Sequence, residues 1–166
     1  MAQIARDYHD NLQKDNLASE EDVINATEEV LDTINRHLSE EDKLIMQATL
    51  SEENIDEVLK LLPNSKAAGI DGLPYEFWKW LKEVSDPTNQ SDDTESENFN
   101  LTKCITQVYN DIETFGVAEE THFSEGWMCP LYKKKDRRDI ANYRPITLLN
   151  SDYKIFTKAL ALKLAR

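Results

Sequence analysis

The spacing of the apolar residues changes at Gly126, and this change constrains the fold more than any other feature of the chain. Up to Phe115 the apolar residues recur every three or four positions, which is typical of amphipathic helices. Beyond Gly126, the runs 127–132 and 145–149 predict the two strands of one hairpin. A last helix follows, with residues 150–152 as its predicted cap. The sequence therefore predicts an α+β fold that is mainly α, with one β-hairpin.

Local signals predict where several helices begin and end. Three Ser-Glu-Glu triplets, which start at Ser19, Ser39 and Ser51, each precede an amphipathic stretch. Serine caps the free amide groups of a first turn, and glutamate is favourable at the positive end of the helix dipole. Ala2–Lys14 is predicted to form a short first helix, and Gly116 is placed to end a later one.

The same spacing predicts which side chains each helix buries. The expected buried positions are Val23, Thr27, Val30, Leu31, Ile34 and Leu38; Ile55, Val58, Leu59 and Leu62; Phe77, Trp78, Leu81 and Val84; Leu101, Ile105, Val108, Ile112 and Phe115; and Tyr153, Phe156, Leu160 and Leu164. Trp78, Trp80 and Trp127 could stack on nucleic-acid bases, but their helical or strand spacing favours the core.

Charge is distributed unevenly along the chain. The net charge of the 166 residues is −13, which by itself argues against nucleic-acid binding. Residues 126–166, however, hold ten Lys/Arg and three Asp, a net of +7, whereas residues 1–125 hold nine Lys/Arg and 29 Asp/Glu, a net of −20. Such asymmetry indicates a polyanionic partner for the basic end.

Several classes of protein are excluded by composition. Cys104 and Cys129 are too few for a disulfide framework, and the three histidines add no metal-ligand spacing. The chain has no apolar run long enough to span a bilayer and no leader-like segment. We therefore expect no metal or cofactor bound by this chain, no membrane partner, and an intracellular location.

The cations concentrate between the two predicted strands, in residues 132–144, which we call the basic hairpin. Its basic residues are Lys133, Lys134, Lys135, Arg137, Arg138 and Arg144. Lysine supplies point charge and arginine can bind two oxygens at once, so a loop of this composition is suited to phosphate groups. The same composition is also typical of a solvated charged loop and of a nuclear localisation signal.

The segments around the cations resemble reverse transcriptases encoded by non-LTR (LINE-type) retrotransposons. NYRPITLLN, followed by YKI and KALALKLA, is similar to the fingers region of that family, and the match extends from Trp127 to Leu164. KAAGIDGLPYEFWK, Lys66–Lys79, is similar to a second family segment in which proline stands at the position of Ala68. Ala5–Asp15 resembles, more loosely, the linker that precedes the polymerase domain.

This resemblance implies roles for individual residues. Four cations would contact the phosphates of the incoming deoxynucleotide and of the template strand: Lys133, Lys134, Lys135 and Arg144. Lys66 would contact the backbone of the RNA template or the DNA primer. Gly69, Asp71 and Gly72 are expected to form a structural turn, in which Asp71 accepts a hydrogen bond from its own backbone and does not bind metal.

The resemblance also divides the chain into two parts. Residues 1–62 would be an acidic helical linker, and residues 63–166 a partial reverse transcriptase domain with a disordered acidic insert at 86–98. The family's two Asp motifs, which hold catalytic Mg²⁺, are absent from the sequence, so we expect truncation before the palm. The chain would then have no catalytic residue and no activity alone. The complete enzyme would use Mg²⁺, an RNA template, a DNA primer, deoxynucleotides and the missing palm domain.

Two alternatives from other classes remain open. One is a non-catalytic nucleic-acid-binding module that uses the basic hairpin. The other is a helical interaction protein, in which the basic residues only offset the acidic half.

Overall fold

The computed structural model describes residues 2–14, 18–86 and 99–165. Within these ranges the chain forms seven α-helices and one antiparallel two-stranded sheet, so the prediction of a mainly α, α+β fold with one hairpin is confirmed. The elements are α1 (Ala2–Lys14), α2 (Glu20–Asp32), α3 (Glu40–Gln47), α4 (Glu52–Leu61), α5 (Tyr75–Ser85), α6 (Leu101–Phe115), β1 (Gly126–Tyr132), β2 (Tyr143–Leu149) and α7 (Ser151–Leu164). Except for Asp86, the insert expected at 86–98 lies outside the described residues.

The predicted caps are present at the starts of three helices. The hydroxyl of Ser19 accepts a hydrogen bond from the amide of Asp22, and that of Ser39 accepts one from Asp42. At α4 the cap is reciprocal, because the Ser51 hydroxyl accepts from the Asn54 amide while the Asn54 side chain accepts from the Ser51 amide. These bonds satisfy amide groups that the first helical turn leaves without partners.

The chain divides into two compact units. One consists of Leu44–Met128 and Thr147–Arg166, and the other of Met1–Lys43 and Cys129–Ile146. The first unit holds the main core, where α4 packs against α6 and α7. Its buried residues are Leu50, Ile55, Val58, Leu59, Leu62, Leu101, Ile105, Tyr109, Phe123, Ile155, Phe156 and Ala159. In the second unit, α1 contacts the short 3₁₀ helix Ile140–Asn142, and Ala5 and His9 of α1 are buried.

Part of the predicted burial is wrong. Helix α2 buries no residue, and it ends at Asp32, before Ile34 and Leu38. Val84, Val108, Phe115 and Leu164 are exposed, as are two of the three tryptophans, Trp80 at 55% and Trp127 at 63%. Tyr109, which the spacing did not select, is buried in α6, because its ring packs on Phe156 and its hydroxyl donates to the Asp152 carbonyl at 2.8 Å. The face of α6 that meets α4 and α7 is therefore rotated from the predicted one.

An ion pair joins two helices beside this core. Asp56 of α4 accepts a hydrogen bond from Lys82 of α5 at 2.5 Å and another from the Thr102 hydroxyl of α6 at 3.2 Å. Burial alone would raise the pKa of Asp56, but these hydrogen bonds and the charge of Lys82 hold it below its ordinary value. The three residues line an open cavity of about 460 Å³.

No helix among the described residues is both long and apolar enough to cross a membrane.

Candidate nucleic-acid interface

The pairing of β1 and β2 is defined by contacts at the base of the basic loop. The Lys133 amide donates to the Asn142 carbonyl at 2.9 Å, and the rings of Tyr132 and Tyr143 meet edge to face with centroids 5.5 Å apart. In an antiparallel ladder, opposite residues alternate between pairs that exchange hydrogen bonds and pairs that do not. Counted from the bond between residues 133 and 142, Pro130 lies opposite the proline at 145, and this pair exchanges no hydrogen bonds. Neither proline therefore interrupts the ladder.

Three consecutive carbonyl groups at the tip of the loop accept hydrogen bonds from side chains at the strand ends. The Tyr132 hydroxyl donates to the Lys135 carbonyl at 2.8 Å. The Asn142 side-chain amide donates to the carbonyl of Asp136 at 2.9 Å. The Tyr143 hydroxyl donates to the carbonyl of Arg137 at 2.9 Å. We call these three donors, Tyr132, Asn142 and Tyr143, the carbonyl clamp.

Two acidic residues of the loop are engaged inside it. The carboxylate of Asp136 forms a salt bridge of 2.9 Å with the guanidinium of Arg138 and also accepts from the Arg138 backbone amide. These hydrogen bonds from Arg138 lower the pKa of Asp136. Asp139 accepts from the amide of Ala141 and so begins the 3₁₀ helix. Both carboxylates therefore serve the conformation of the loop.

The four predicted phosphate-binding cations all lie in this hairpin. Lys133, Lys134, Lys135 and Arg144 are exposed, and none forms a salt bridge with any carboxylate in the part of the chain that the structure describes. The guanidinium of Arg137 lies 4.8 Å from the centre of the Tyr132 ring. The hairpin thus presents these four cations without carboxylate partners among the described residues, on a backbone held by its own hydrogen bonds.

The carbonyl clamp was missed by the sequence reasoning. The available signal was the position of its members, because one tyrosine precedes the cations directly and an Asn-Tyr pair follows them at the start of β2.

The second predicted segment, Lys66–Lys79, lies in the other compact unit, and its residues 66–72 precede α5. The Gly72 amide donates to the Gly69 carbonyl at 3.3 Å, and the Leu73 amide donates to the Asp71 carboxylate at 3.0 Å. Gly72 has a φ of +70°, a conformation that glycine adopts without steric cost. Gly69 lies so close to Asn150 that any Cβ on it would overlap the Asn150 backbone and side chain. The three predicted turn residues therefore form a turn that packs on the start of α7.

Asn150 and Ser151 hold that turn in place. The predicted cap of α7 is wrong in one respect, because the Asn150 side chain accepts from the amide of Asp71 at 3.2 Å and makes no capping bond to the helix. The Ser151 hydroxyl donates to the Leu73 carbonyl and accepts from the indole nitrogen of Trp78, both at 2.7 Å. This network joins the turn, α5 and α7.

Lys66 is exposed at the start of this segment, and its side chain forms no salt bridge among the described residues. Next to it, the Lys154 ammonium donates to the carbonyl of Ala67 at 3.0 Å. The implied contact of Lys66 with template or primer remains a prediction.

The acidic groups near the turn do not form a cluster of metal ligands. Burial raises the pKa of Asp152, and the negative charge of Asp71 adds to this effect. Across the described ranges, no three side chains of His, Cys, Asp or Glu are grouped so that they could hold a metal ion.

Comparison with known proteins supports a relation to mobile elements. The chain matches no protein-family model. It is similar to an uncharacterized 149 kDa protein of transposon TX1 of Xenopus laevis, with 28% identity over 127 residues. The aligned region covers 76% of this chain and spans about 8% of the Xenopus protein. The likeness is consistent with a transposon-derived protein.

Proposed function

We propose that the chain is the linker and fingers part of a non-LTR retrotransposon reverse transcriptase, and that its basic hairpin binds nucleic-acid phosphate groups. The observation that carries the binding proposal is the set of four exposed cations without carboxylate partners on a loop ordered by its own hydrogen bonds. The resemblance of residues 66–79 and 127–164 to this family, together with the similarity to a transposon protein, supports the assignment.

The physical role of the cations follows from the charge of the ligand. Each lysine that contacts a phosphate releases condensed counterions, so binding should weaken steeply as salt increases. Phosphate contacts carry no sequence information, so single-stranded RNA or DNA should bind with little sequence preference. In a complete polymerase, the same charges would orient a triphosphate and offset the charge that develops during phosphoryl transfer.

Fluorescence anisotropy with labelled single-stranded RNA across a salt series tests the binding. Replacement of Lys133, Lys134 and Lys135 with alanine should reduce the slope of log K against log salt by about 2, since each single-strand phosphate contact contributes about 0.7. The matched control is Lys14, Arg36 and Lys103 replaced with alanine, which removes the same charge from exposed sites outside the hairpin that form no salt bridge among the described residues. If both triple variants bind equally, the cations of the hairpin have no special role.

Polymerase activity is not expected of the chain alone. Neither Asp motif of the family occurs in its sequence, so the chain has no carboxylates placed to hold the catalytic metal ions of that family. Primed RNA template, deoxynucleotides and Mg²⁺ or Mn²⁺ should therefore yield no primer extension. Template-dependent extension that survives repurification would contradict this.

A non-catalytic nucleic-acid-binding module is the second candidate. It is favoured because the loop supplies its own ordering hydrogen bonds: the clamp residues and both engaged carboxylates lie within residues 132–143. If the chain binds single-stranded RNA but yields no primer extension when a palm domain of the family is added to it, this candidate is favoured over the polymerase assignment.

A further inference from the structure

The three side chains of the carbonyl clamp carry no charge, and none belongs to the predicted phosphate-binding set. Tyr132, Asn142 and Tyr143 occupy the carbonyls of residues 135, 136 and 137 in turn. A carbonyl oxygen is electronegative and would repel a phosphate oxygen. Each of these three carbonyls is instead occupied by a donor from the base of the loop.

The amide groups of the same residues have a different environment. The N–H groups of residues 134–137 donate to no acceptor within the described ranges. Lys135 has a φ of +74°, in the left-handed region that L-residues rarely adopt. Successive free amides around a left-handed residue are a known arrangement for binding anions. The tip therefore combines lysine charge with unpaired backbone donors.

We infer that the carbonyl clamp positions the tip for phosphate, so that Tyr132, Asn142 and Tyr143 act through the lysines that the tip carries. This inference rests on the proposed function of the basic hairpin and identifies its ligand as the phosphodiester groups of single-stranded nucleic acid. The clamp residues do not contact the ligand. They hold the backbone in one conformation before binding, which reduces the entropy lost when the lysines engage phosphate.

Phenylalanine substitutions isolate the hydroxyl groups. Tyr132→Phe and Tyr143→Phe keep the edge-to-face contact of the two rings and the contact of Arg137 with the Tyr132 ring, but remove the bonds to the two carbonyls. The double variant of the full chain should bind labelled single-stranded RNA roughly tenfold more weakly, as expected for two ordinary hydrogen bonds. Its thermal midpoint should not change, since the main core lies in the other compact unit.

Tyr109→Phe is the matched control. It also removes a tyrosine hydroxyl from a backbone carbonyl, that of Asp152, but in the main core. We expect this variant to melt at a lower temperature and to bind RNA with unchanged affinity. If it weakens binding as much as the clamp variants, the effect is one of general stability and the inference is wrong.

The decisive measurement repeats the two clamp substitutions in the chain whose residues 133–135 are alanine. If the tyrosines act through the lysines, the tenfold loss should shrink to less than about twofold in that background. A loss that stays tenfold would show that the tyrosines act independently and would overturn the inference. Unchanged affinity of the double variant in the native background would do the same while leaving the proposed function intact. If the triple alanine variant itself binds normally, the proposed function fails first.

Discussion

Gly69→Ala should disrupt the packing of the 66–72 segment on α7. The added methyl would overlap the Asn150 backbone and its side-chain oxygen, and backbone atoms at a helix start cannot move without shifting the helix. Overpacking of this kind costs about 1–3 kcal/mol. The shift would also break the bond from the Asp71 amide to Asn150, which adds about 1 kcal/mol. We therefore expect a loss of about 2–4 kcal/mol in the free energy of unfolding, the sum of these two ranges.

Gly72→Ala provides the comparison in the same turn. A Cβ on Gly72 would meet no atom within 4 Å, so the only cost is its left-handed backbone, about 1–2 kcal/mol. Urea denaturation followed by tryptophan fluorescence reports both variants, because the indole of Trp78 belongs to the network that the turn contacts. If Gly69→Ala is no more destabilising than Gly72→Ala, the close approach of Gly69 to α7 is not a real constraint.

Three further predictions concern stability. Trp78→Phe removes the bond from the indole to the hydroxyl at the start of α7 and should cost about 1–2 kcal/mol in urea denaturation, whereas Trp80→Phe at an exposed site should cost less than about 0.5 kcal/mol; equal costs would contradict the network. Ser51→Ala removes a reciprocal cap from a helix of the main core and should lower the free energy of unfolding by about 1 kcal/mol, and Ser19→Ala, which caps a helix that buries nothing, should barely change the same transition. Asp56→Asn should reduce the loss of stability in acid, measured by urea denaturation from pH 7 to pH 2. The folded state lowers the pKa of Asp56, so its contribution to stability is present above its ordinary pKa of 3.8 and is lost as the pH falls through the lowered value. An unaltered pH profile would refute the role of the ion pair.

Helix boundaries in this chain follow from short-range signals. The serines at positions 19, 39 and 51 form their capping bonds within three residues, and Gly116 ends α6 with a φ of +82°. Interactions of this range depend on the local sequence alone, so the pattern predicted them. The hairpin was predicted for the same reason, since two β-type runs flank one polar loop.

Burial depended on packing that the pattern does not contain. Apolar spacing selected Val108 and Phe115 in α6, but the helix is rotated so that Tyr109 contacts Phe156 and Phe123. A helix with several apolar stripes can bury any of them, and the choice depends on which neighbours α4 and α7 present. Trp127, read as core from strand spacing, is exposed because neither strand has a further strand beside it within the described residues.

The candidate interface also combines features that the sequence predicts with features that depend on tertiary packing. The cations of the hairpin, and the glycines and the aspartate of the turn, can be identified from the sequence alone. The carbonyl clamp and the close approach of Gly69 to Asn150 cannot be, because they join residues through hairpin register or across 81 positions of chain. Sequence alone determined which residues carry charge and where the chain turns. Only the tertiary structure decided which backbone carbonyls accept hydrogen bonds from side chains. The reason is that these bonds depend on distances between segments, which local propensity does not set.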